Sequence, residues 1–487
     1  MIDTQDNPEP IDGMHESCGV FGIYNHPRAA EIAYLGLRAL QHRGQESAGI
    51  AVAGSRIAVH RGMGLVNQVF RHAEVLEPLA GSLAIGHNRY STTGSSTIAN
   101  AQPLVIDFKA GQLAAAHNGN LVNADCLRAE MEQDGSIFSS TTDTEVIMHL
   151  IARSKRETID AMILDALSYV KGAYSLLFLT TRALFAARDP RGVRPLILGR
   201  LESGHVVSSE TCAFDLIGAE MIREIEPGEM ISIRDNEITS YTIPCFGNRP
   251  KPAHCVFEFI YFSRPDSFVF GKNVDRVRRK LGRQLANEHP APGADLVIGV
   301  PDSATTAALG FSEESRIRFD IGLIRNHYVG RTFIQPAQAH RDLGVRIKFN
   351  PVKGVLKGKK IVLVDDSIVR GTTMKKIVNL LKTADPAEIH LRISSPPIVC
   401  PCFYGIDMPT KQELIASSAA VEEIRAYLEV DSLGYLSIDG MLSIMPPPKE
   451  HFCCACFNGE YPIAPSASSQ ERRPEQVAFG AEYLMRG

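Results

Sequence analysis

The stretch IVLVDDSIVRGTTMKKIV, residues 361–378, limits the fold of the second half of the chain more than any other segment. It begins with four apolar residues, continues with two acids and a glycine, and ends in a helical pattern. Such an apolar run is typical of a strand that helices cover on both faces. Similar strand and helix patterns surround it, namely ADLVIGV, ATTAALGF, DIGLIR, TTMKKIVNLLKTA and EIHLRIS. Residues 251–460 are therefore predicted to form an α/β domain with a parallel sheet.

Asp365 and Asp366 stand at the carboxyl end of this strand, where open α/β sheets bind their ligands. Gly371, Thr372 and Thr373 follow just before the helix, where backbone N–H groups and the helix dipole favour a phosphate. Paired carboxylates beside a phosphate loop suit a sugar's vicinal hydroxyls and a Mg²⁺ ion. The alternative is a buried strand followed by two solvated acids and a turn. The chain has no G-x-x-x-x-G-K-[ST] sequence and no G-x-G-x-x-G after a strand, which argues against P-loop and dinucleotide-binding folds.

The same stretch resembles the signature of the type I phosphoribosyltransferases. The resemblance implies that the substrate is phosphoribosyl pyrophosphate (PRPP), whose ribose hydroxyls and 5′-phosphate meet this loop. It also implies a pyrophosphate and metal site in VIGVPDSA, and a loop that closes over PRPP in NHYVGRTFIQPAQAHR, which includes Arg341. Taken alone, that loop is only a basic surface segment. The implied ligands of Mg²⁺ are Ser303, Asp365 and Asp366, and the implied contacts of PRPP are Asp302, Ser303, Arg331, Asp365, Asp366, Arg370, Gly371, Thr372 and Thr373.

Residues 18–250 show a different pattern, in which strand-like runs are interleaved with few helices. The runs RIAVHRG, SLAIGHNRY, QLAAAHNGNL and GAYSLLFLTT predict strands, and TEVIMHLIARSK predicts a helix. The stretch AAEIAYLGLRALQHRG predicts a helix with Arg43 in a basic last turn and Gly44 as its C-cap. This half is therefore predicted to be an α+β domain with antiparallel sheets.

Cys18 lies in HESCGVFGIYNH, directly before an alternating apolar run that predicts a strand. It is either a small core residue or the first residue of a processed chain. A chain-terminal cysteine carries its own base, because its α-amino group has a pKa of ~8. The preceding residues are acidic and lack a basic start and an apolar centre, so they are not a secretory signal. Catalysis by a chain-terminal Cys18 would require the removal of residues 1–17.

The run CGVFGIYNHPRAAEIAYLGLRALQHRGQESAGIAV resembles the opening of the N-terminal-nucleophile glutamine amidotransferases. The resemblance implies that Cys18 is the nucleophile and that Arg89, in GHNRYSTTG, binds the carboxylate of glutamine. It further implies that the Asn118 amide and the Gly119 N–H, in AHNGNL, stabilise an oxyanion. Asp143, in SSTTDTEVI, would pair with the ammonium group of glutamine.

Each of these residues also has a purely structural interpretation. Asn118 and Gly119 together are a common hairpin-turn signal. Thr142 and Glu145 match a capping box, which would make Asp143 an ordinary acid of a first helical turn. Arg89 alone could be a surface charge.

Ten cysteines in a chain without a secretory signal are better interpreted as ligands or nucleophiles than as disulfides. Cys453 and Cys456 form a C-x-x-C, which suits a metal but also redox chemistry. In addition, the segments CVFEFIYFSRPDS, with Cys255, and PCFYGID, with Cys402, resemble those of the amidophosphoribosyltransferase branch that has a cleaved leader and a [4Fe–4S] cluster. That resemblance implies Cys255, Cys402, Cys453 and Cys456 as the ligands. Their neighbours Cys400 and Cys454 could replace a ligand, Cys126 and Cys212 are predicted to be buried small hydrophobes, and Cys245 has no assignment.

The resemblance spans nearly all of residues 18–460 and divides the chain into a propeptide (1–17), a glutaminase domain (18–250), a phosphoribosyltransferase domain (251–460) and a polar tail (461–487). It implies that ammonia released from glutamine replaces pyrophosphate at C1 of Mg–PRPP, giving 5-phosphoribosylamine, the committing step of purine synthesis. It also implies a hydrophobic passage between the sites, a homo-oligomer that is often a tetramer, and feedback inhibition by purine nucleotides.

Composition bears on the cellular location, the partners and the alternative functions of the chain. The chain is 44% hydrophobic and 22% charged, with a net charge of −4 and no apolar run that could span a membrane. We therefore expect a cytoplasmic protein without a nucleic-acid or membrane partner. The acidic balance disfavours a PRPP-sensing regulatory protein that binds DNA through a phosphoribosyltransferase fold. A glutaminase coupled to another acceptor, as in glucosamine-phosphate or asparagine synthesis, would have a different second domain.

Overall fold

The computed structural model describes residues 18–90, 96–245, 248–326, 348–408 and 410–465. The predicted propeptide, both arginines of the predicted PRPP loop (Arg331 and Arg341) and most of the predicted tail lie outside these residues. Among the described residues, no helix is both long enough and apolar enough to cross a membrane.

The first domain consists of strands and helices whose bounds are as follows. Its strands are β1 (Gly19–Tyr24), β2 (Ser47–Ala53), β3 (Ile57–Met63), β4 (Leu83–Arg89), β5 (Leu104–Phe108), β6 (Gly111–Leu121), β7 (Gly172–Leu179), β8 (Leu184–Arg188), β9 (Ile197–Leu201), β10 (Gly204–Ser208), β11 (Glu220–Glu224), β12 (Glu229–Arg234) and β13 (Glu237–Thr242). Its helices are α1 (Ala29–Ala39), α2 (Val66–Val69), α3 (Ala124–Gln133), α4 (Asp143–Arg153), α5 (Ile159–Leu167) and α6 (Cys212–Ile217).

These strands form two antiparallel sheets that pack face to face. One sheet has the order β11-β9-β10-β1-β4-β2-β3 and the other the order β13-β12-β8-β7-β6-β5. Apolar side chains such as Val20, Ile85 and Leu177 fill the space between the sheets. Helices α1 and α6 cover the outer face of the first sheet, and α3, α4 and α5 cover that of the second. The domain is thus a four-layer αββα sandwich, which agrees with the predicted α+β class.

The second domain has shorter strands and longer helices. Its strands are β14 (His254–Cys255), β15 (Phe268–Val269), β16 (Lys272–Asn273), β17 (Leu296–Gly299), β18 (Leu323–Arg325), β19 (Phe349–Pro351), β20 (Lys360–Asp365), β21 (Glu388–Ile393), β22 (Ser432–Tyr435) and β23 (Phe452–Cys453). Its helices are α7 (Val274–Glu288), α8 (Thr305–Ser315), α9 (Lys353–Leu356), α10 (Thr372–Lys382), α11 (Ile415–Ser418), α12 (Val421–Leu428), α13 (Ile438–Ile444) and α14 (Ala455–Asn458).

A parallel sheet of order β17-β20-β21-β22 forms the centre of this domain. The alternation of side chains along β20 sends Val362 and Val364 to one face, where α7 and α8 pack. Ile361 and Leu363 point to the other face, against α10 and α12. Both faces are therefore covered, as the continuous apolar run predicts.

Two details of the sequence prediction were wrong. The DIGLIR segment meets the parallel sheet only at its start, where the Asp320 N–H donates to the Val297 oxygen, and its strand β18 pairs antiparallel with β19 and leaves Ile324 exposed. Helix α1 ends at Ala39, and Gly44 has extended backbone rather than a left-handed C-cap. Glycine is needed at position 44 for a different reason, since an added Cβ would lie 2.7 Å from the backbone of Asn88.

The two domains share one continuous apolar interior. A single cluster of buried side chains includes Phe21 and Leu37 of the first domain together with Phe257, Phe259 and Val297 of the second. This shared core holds the first residues of the first domain against the second domain.

Candidate active sites

Cys18 directly precedes β1, which lies between β10 and β4 in the first sheet. Its side chain is 7% exposed, and its Sγ donates to the carbonyl oxygen of Tyr90 at 3.4 Å. Burial raises the pKa of the Cys18 thiol, while the nearby Arg89 opposes that effect. The thiol therefore needs a base before it can act as a nucleophile.

Arg89 is the last residue of β4 and is 3% exposed, so the interpretation as a surface charge is wrong. Its Nη1 lies 2.9 Å from Oε1 of Glu46, which follows Gly44 on the approach to β2. Both charges act on the Cys18 thiol. The structure thus places a buried guanidinium beside the thiol, and Glu46 is a neighbour that sequence reasoning missed.

Asn118 and Gly119 lie inside the continuous strand β6, so the hairpin-turn interpretation is wrong. The Asn118 side chain is fully buried, and neither its Nδ2 nor its Oδ1 has a partner among the described residues. A buried amide without partners is costly unless a ligand completes its hydrogen bonds. Gly119 has φ +149°, and an added Cβ would lie 2.0 Å from the carbonyl oxygen of Ala173.

Asp143 begins α4, and Thr142 caps this helix by accepting from the Glu145 N–H. The capping interpretation is therefore half right, because the Glu145 carboxylate accepts from Ser139 and Ser140 instead of returning to Thr142. Asp143 is also buried within the site, where its Oδ2 accepts from the Leu121 N–H at 2.9 Å.

His117 is a second residue of this site that sequence reasoning missed, although it stands beside Asn118 in AHNGNL. Its Nδ1 lies 3.3 Å from Oδ1 of Asp143, and its backbone oxygen contacts Nε2 of His87 at 2.9 Å. Burial tends to raise the pKa of Asp143, but His117 and the Leu121 N–H lower it below its usual value. Asp143 is therefore held as a carboxylate.

In the second domain, Asp365 and Asp366 lie at the carboxyl end of β20 and are both buried. Burial raises the pKa of each carboxyl group, and the charge of Asp366 raises that of Asp365 further. Asp366 accepts hydrogen bonds from the hydroxyls of Ser367, at 2.6 Å, and Ser303. The structure thus brings the two predicted segments, residues 301–304 and 365–373, together at one edge of the sheet.

The predicted phosphate loop has the geometry of a helix entrance. Gly371 is the N-cap of α10 with φ +81°, a left-handed conformation that favours glycine, and Thr372 and Thr373 form the first turn. Arg370 pairs with Glu413 at 2.9 Å, and the exposed Asp302 pairs with Arg325 at 2.8 Å. The N–H groups of this turn form the anion-binding end of the helix.

Comparison with known proteins agrees with this two-site geometry. Models of a glutamine amidotransferase domain and a phosphoribosyl transferase domain match residues 87–215 and 293–394. An amidophosphoribosyltransferase of Synechococcus elongatus is 52% identical over 464 residues, which are 94% of this chain and 93% of that relative. The chain belongs to the amidophosphoribosyltransferase family.

Two further relatives extend the comparison. The amidophosphoribosyltransferase of Bacillus subtilis is 50% identical over 458 residues, which are 93% of this chain and 95% of that protein. A solved structure of glutamine PRPP amidotransferase from B. subtilis, complexed with ADP and GMP, has a TM-score of 0.87 and 48% identity. That match covers 92% of this chain and 98% of the other. The predicted family and order of domains are confirmed.

The four cysteines assigned by resemblance to the iron–sulfur amidophosphoribosyltransferases come from separate segments that meet beside the domain interface. Cys255 and Cys453 are register partners in the parallel pair β14–β23. The backbone oxygen of Cys456 accepts from the Val399 and Cys400 N–H groups, and Sγ of Cys402 accepts from the Tyr404 N–H at 3.3 Å. Burial raises the pKa of Cys255 to about 12, while the buried guanidinium of Arg194 favours its thiolate.

These residues have the thiol chemistry that a thiolate-bound cluster requires. Burial raises the pKa of Cys456, and the charges of Cys453, Cys255, Cys402 and Cys454 raise it further, so the five sulfurs lie within electrostatic reach. In the part of the chain that the structure describes, however, no three His, Cys, Asp or Glu side chains are already arranged to hold a metal ion. Cys400 and Cys454 are therefore kept as alternatives to the neighbouring predicted ligands.

The prediction that Cys126 and Cys212 are buried small hydrophobes is right for one of them only. Cys212 is buried, as expected for a small hydrophobe, whereas Cys126 is exposed on α3 and that prediction was wrong. Cys126 lies on a solvent-facing helix whose buried residues are Ala124 and Met131. Near the last described residue, Tyr461 packs against Phe403 and donates to the Pro401 oxygen, so the predicted tail is anchored where it begins.

Proposed function

We propose that this member of the amidophosphoribosyltransferase family hydrolyses glutamine at Cys18 and transfers the ammonia to C1 of PRPP. The products would be glutamate, 5-phosphoribosylamine and pyrophosphate, in the first committed step of purine synthesis. One observation carries the proposal: Cys18, Arg89 and Asp143 share one buried site, and the same chain presents Asp365 and Asp366 at the ligand edge of a parallel sheet.

Glutamine would be held at both ends of its backbone. Arg89 would bind the α-carboxylate through its guanidinium, a geometry that suits a planar fork of donors. Asp143 would accept from the α-ammonium group, for which its lowered pKa keeps it ionised. Glu46 and His117 already contact these two residues, so both would be held in position before glutamine binds.

The thiol of Cys18 would attack the side-chain carbonyl of glutamine after the α-amino group takes its proton. That base exists only if residues 1–17 are removed. The Asn118 amide and the Gly119 N–H would stabilise the oxyanion. When the C–N bond of the glutamine amide breaks, the α-ammonium group of Cys18 returns its proton to the leaving nitrogen, and ammonia departs. Water then hydrolyses the thioester to glutamate and restores the thiol.

In the second site, the nitrogen of ammonia would form a bond to C1 of PRPP as the bond from C1 to pyrophosphate breaks. Asp365 and Asp366 would accept from the ribose hydroxyls, and residues 370–373 would bind the 5′-phosphate at the start of α10. Ser303, Asp365 and Asp366 would hold Mg²⁺, which fits two buried neighbouring carboxyls with raised pKa values. When bound, Mg²⁺ neutralises charge on the pyrophosphate.

The test is pyrophosphate release by the purified protein with each substrate omitted in turn. We expect release to require both PRPP and a nitrogen source, either glutamine or ammonium. Glutamine hydrolysis that is indifferent to PRPP, with no pyrophosphate formed, would contradict the proposal. Binding of DNA without any turnover would favour the regulatory alternative instead.

We further propose that the chain belongs to the branch with a cleaved leader and a [4Fe–4S] cluster on Cys255, Cys402, Cys453 and Cys456. The cluster would be a structural link, because it would join segments far apart in sequence. Anaerobic purification followed by denatured intact mass should give the mass of residues 18–487, and iron and sulfide should be present. A full-length mass in active protein, or a Cys456→Ser variant that folds and matures normally, would contradict these proposals.

The proposed partners are glutamine, PRPP and inhibitory purine nucleotides, and the proposed assembly is a homotetramer. The nucleotide proposal is supported by the B. subtilis relative, whose solved structure is complexed with ADP and GMP. Inhibition by these nucleotides and light scattering in solution would test both points. Cytoplasmic location and the absence of nucleic-acid or membrane partners stay predictions from composition.

A further inference from the structure

Four fully buried charges lie where the two domains meet, and we call them the interdomain ion cluster: Arg43, Arg194, Glu210 and Glu258. The first domain contributes both arginines and Glu210, and the second domain contributes Glu258. Arg43 Nη2 lies 2.7 Å from Oε1 of Glu258, and Arg194 Nη1 lies 3.1 Å from the same atom. Arg43 also pairs with Glu210, so the four formal charges balance.

Arg43 connects this cluster to the proposed nucleophile. Its third nitrogen, Nε, donates to the backbone carbonyl of Cys18 at 3.3 Å. The next residue, Gly44, packs so closely on the adjoining strand that an added Cβ would lie 2.8 Å from the backbone of Arg89. The segment of Arg43 and Gly44 is therefore held between Cys18 and the residue proposed to bind the glutamine carboxylate.

The other end of the cluster is fixed within the second domain. Glu258 begins a short π-helix, Glu258–Phe262, and accepts from the Ser263 hydroxyl at 2.7 Å. The buried Arg278 of α7 donates to the backbone oxygens of Phe259 and Ser263, both at 2.7 Å. Arg278 in turn lies within the electrostatic reach of Asp366 in the PRPP site. Hydrogen bonds therefore connect α7 of the second domain, through the segment 258–263 and Arg43, to the Cys18 carbonyl.

We propose that Arg43 and Glu258 form a positioning pair through which the second domain fixes the main chain of Cys18. This inference rests on the proposed role of Cys18 as the nucleophile. A buried ion cluster contributes little net stability compared with apolar packing, so stability alone is a weak reason for its presence. A displacement of about 1 Å at a nucleophile, by contrast, costs about a hundredfold in rate.

The test compares Glu258→Gln with a matched control, Glu229→Gln. Glu229 is also buried and pairs with Arg223 through two bonds of 2.7 Å, but it lies in the first domain without contact to Cys18. We expect Glu258→Gln to lower kcat for glutamine hydrolysis about a hundredfold with little change in KM, because Arg89 and Asp143 stay in place. Pyrophosphate release with ammonium should be retained, and the control should keep its glutamine kcat. Glu258→Asp, which keeps the carboxylate, should recover part of the lost rate.

Arg43→Lys provides a second variant if Glu258→Gln does not fold. It keeps the charge but loses the fork of donors that reaches both Glu258 and the Cys18 carbonyl, so it should show the same loss of kcat. Wild-type glutamine kcat in folded Glu258→Gln, or in Arg43→Lys, would overturn the inference alone. Absence of glutamine hydrolysis in the wild-type protein would overturn the proposed function, and this inference with it.

Discussion

The proposed glutamine site and the proposed PRPP site differ in the surroundings of their charged groups. In the first, the Arg89 guanidinium pairs with the Glu46 carboxylate, and the Asp143 carboxylate lies within hydrogen-bond distance of His117 and accepts from the Leu121 N–H. In the second, Asp365 and Asp366 are neighbours whose pKa values are both raised by burial, while the Ser303 and Ser367 hydroxyls and Arg278 favour the charge of Asp366. The first site therefore presents one buried guanidinium and one buried carboxylate, which suits the two charged ends of an amino acid, whereas the paired carboxyls of the second suit a cation.

The two sites also differ in how they are assembled. Cys18, Arg89, Asn118 and Asp143 come from four separate segments that two packed sheets bring together. The PRPP residues come from two strand ends in one parallel sheet, and most of them are contiguous in sequence. Damage to one site should thus leave the other largely intact, except where the domains touch.

The largest effect should come from Cys18→Ser. Without the thiol, glutamine-dependent pyrophosphate release should fall by at least about a thousandfold, because no covalent intermediate forms. Release with ammonium chloride should remain close to wild type, since the second site needs only ammonia. Loss of both activities would show that the two sites are not separable.

The converse separation should follow from Asp366→Asn. We expect pyrophosphate release to fall about a hundredfold with either nitrogen source, because the ribose and Mg²⁺ lose a carboxylate. Glutamate formation measured without PRPP should be unchanged. A variant that releases pyrophosphate at the wild-type rate would remove Asp366 from the proposed site.

Gly405→Ala probes the place where the second domain meets β6, the strand that carries the proposed oxyanion donors Asn118 and Gly119. Gly405 has φ +93°, and its added Cβ would lie 2.9 Å from the backbone of Gly119. We expect about a tenfold loss of glutamine hydrolysis, larger than the loss of ammonium-dependent activity. Gly293→Ala is the matched control, because it has φ +83° and an open space around the new methyl group. Equal effects in both variants would indicate backbone strain rather than contact with Gly119.

The smallest effect should be on the pH dependence of stability. Because the folded pKa of Asp365 is raised above its ordinary value of 3.8, the folded state binds a proton that the unfolded chain releases. The associated stability is complete below the unfolded pKa and is lost as pH rises through the folded pKa. The thermal unfolding temperature of the metal-free protein should therefore fall more steeply as pH rises above 4 than that of the Asp365→Asn variant. Identical profiles would contradict the raised pKa.

The sequence predicted which residues form the candidate sites better than it predicted the residues that pack against them. The apolar run before Asp365 correctly predicts a buried parallel strand, because a strand that is apolar on both faces must be covered on both. The same logic failed for DIGLIR, whose Ile324 is exposed on a two-stranded sheet. Arg43 was assigned to a basic last turn of a helix, since no local pattern reveals that Glu258, more than two hundred residues away, draws it into the interior.

The candidate glutamine site shows the same division. Cys18, Arg89, Asn118 and Asp143 were named from their motifs, and the structure places them in the first domain around β1, β4 and β6. The balancing partners Glu46 and His117 were missed, because pairing across strands depends on register rather than on nearby sequence.

The most direct test of the central claim follows the amide nitrogen of glutamine through one reaction. Glutamine labelled with a heavy isotope at that nitrogen is incubated with PRPP and the purified protein, and glutamate, pyrophosphate and phosphoribosylamine are measured together. The account predicts glutamate and pyrophosphate in equal amounts, with the label in phosphoribosylamine. Glutamate formed at the same rate without PRPP, with no label in the sugar product, would contradict it.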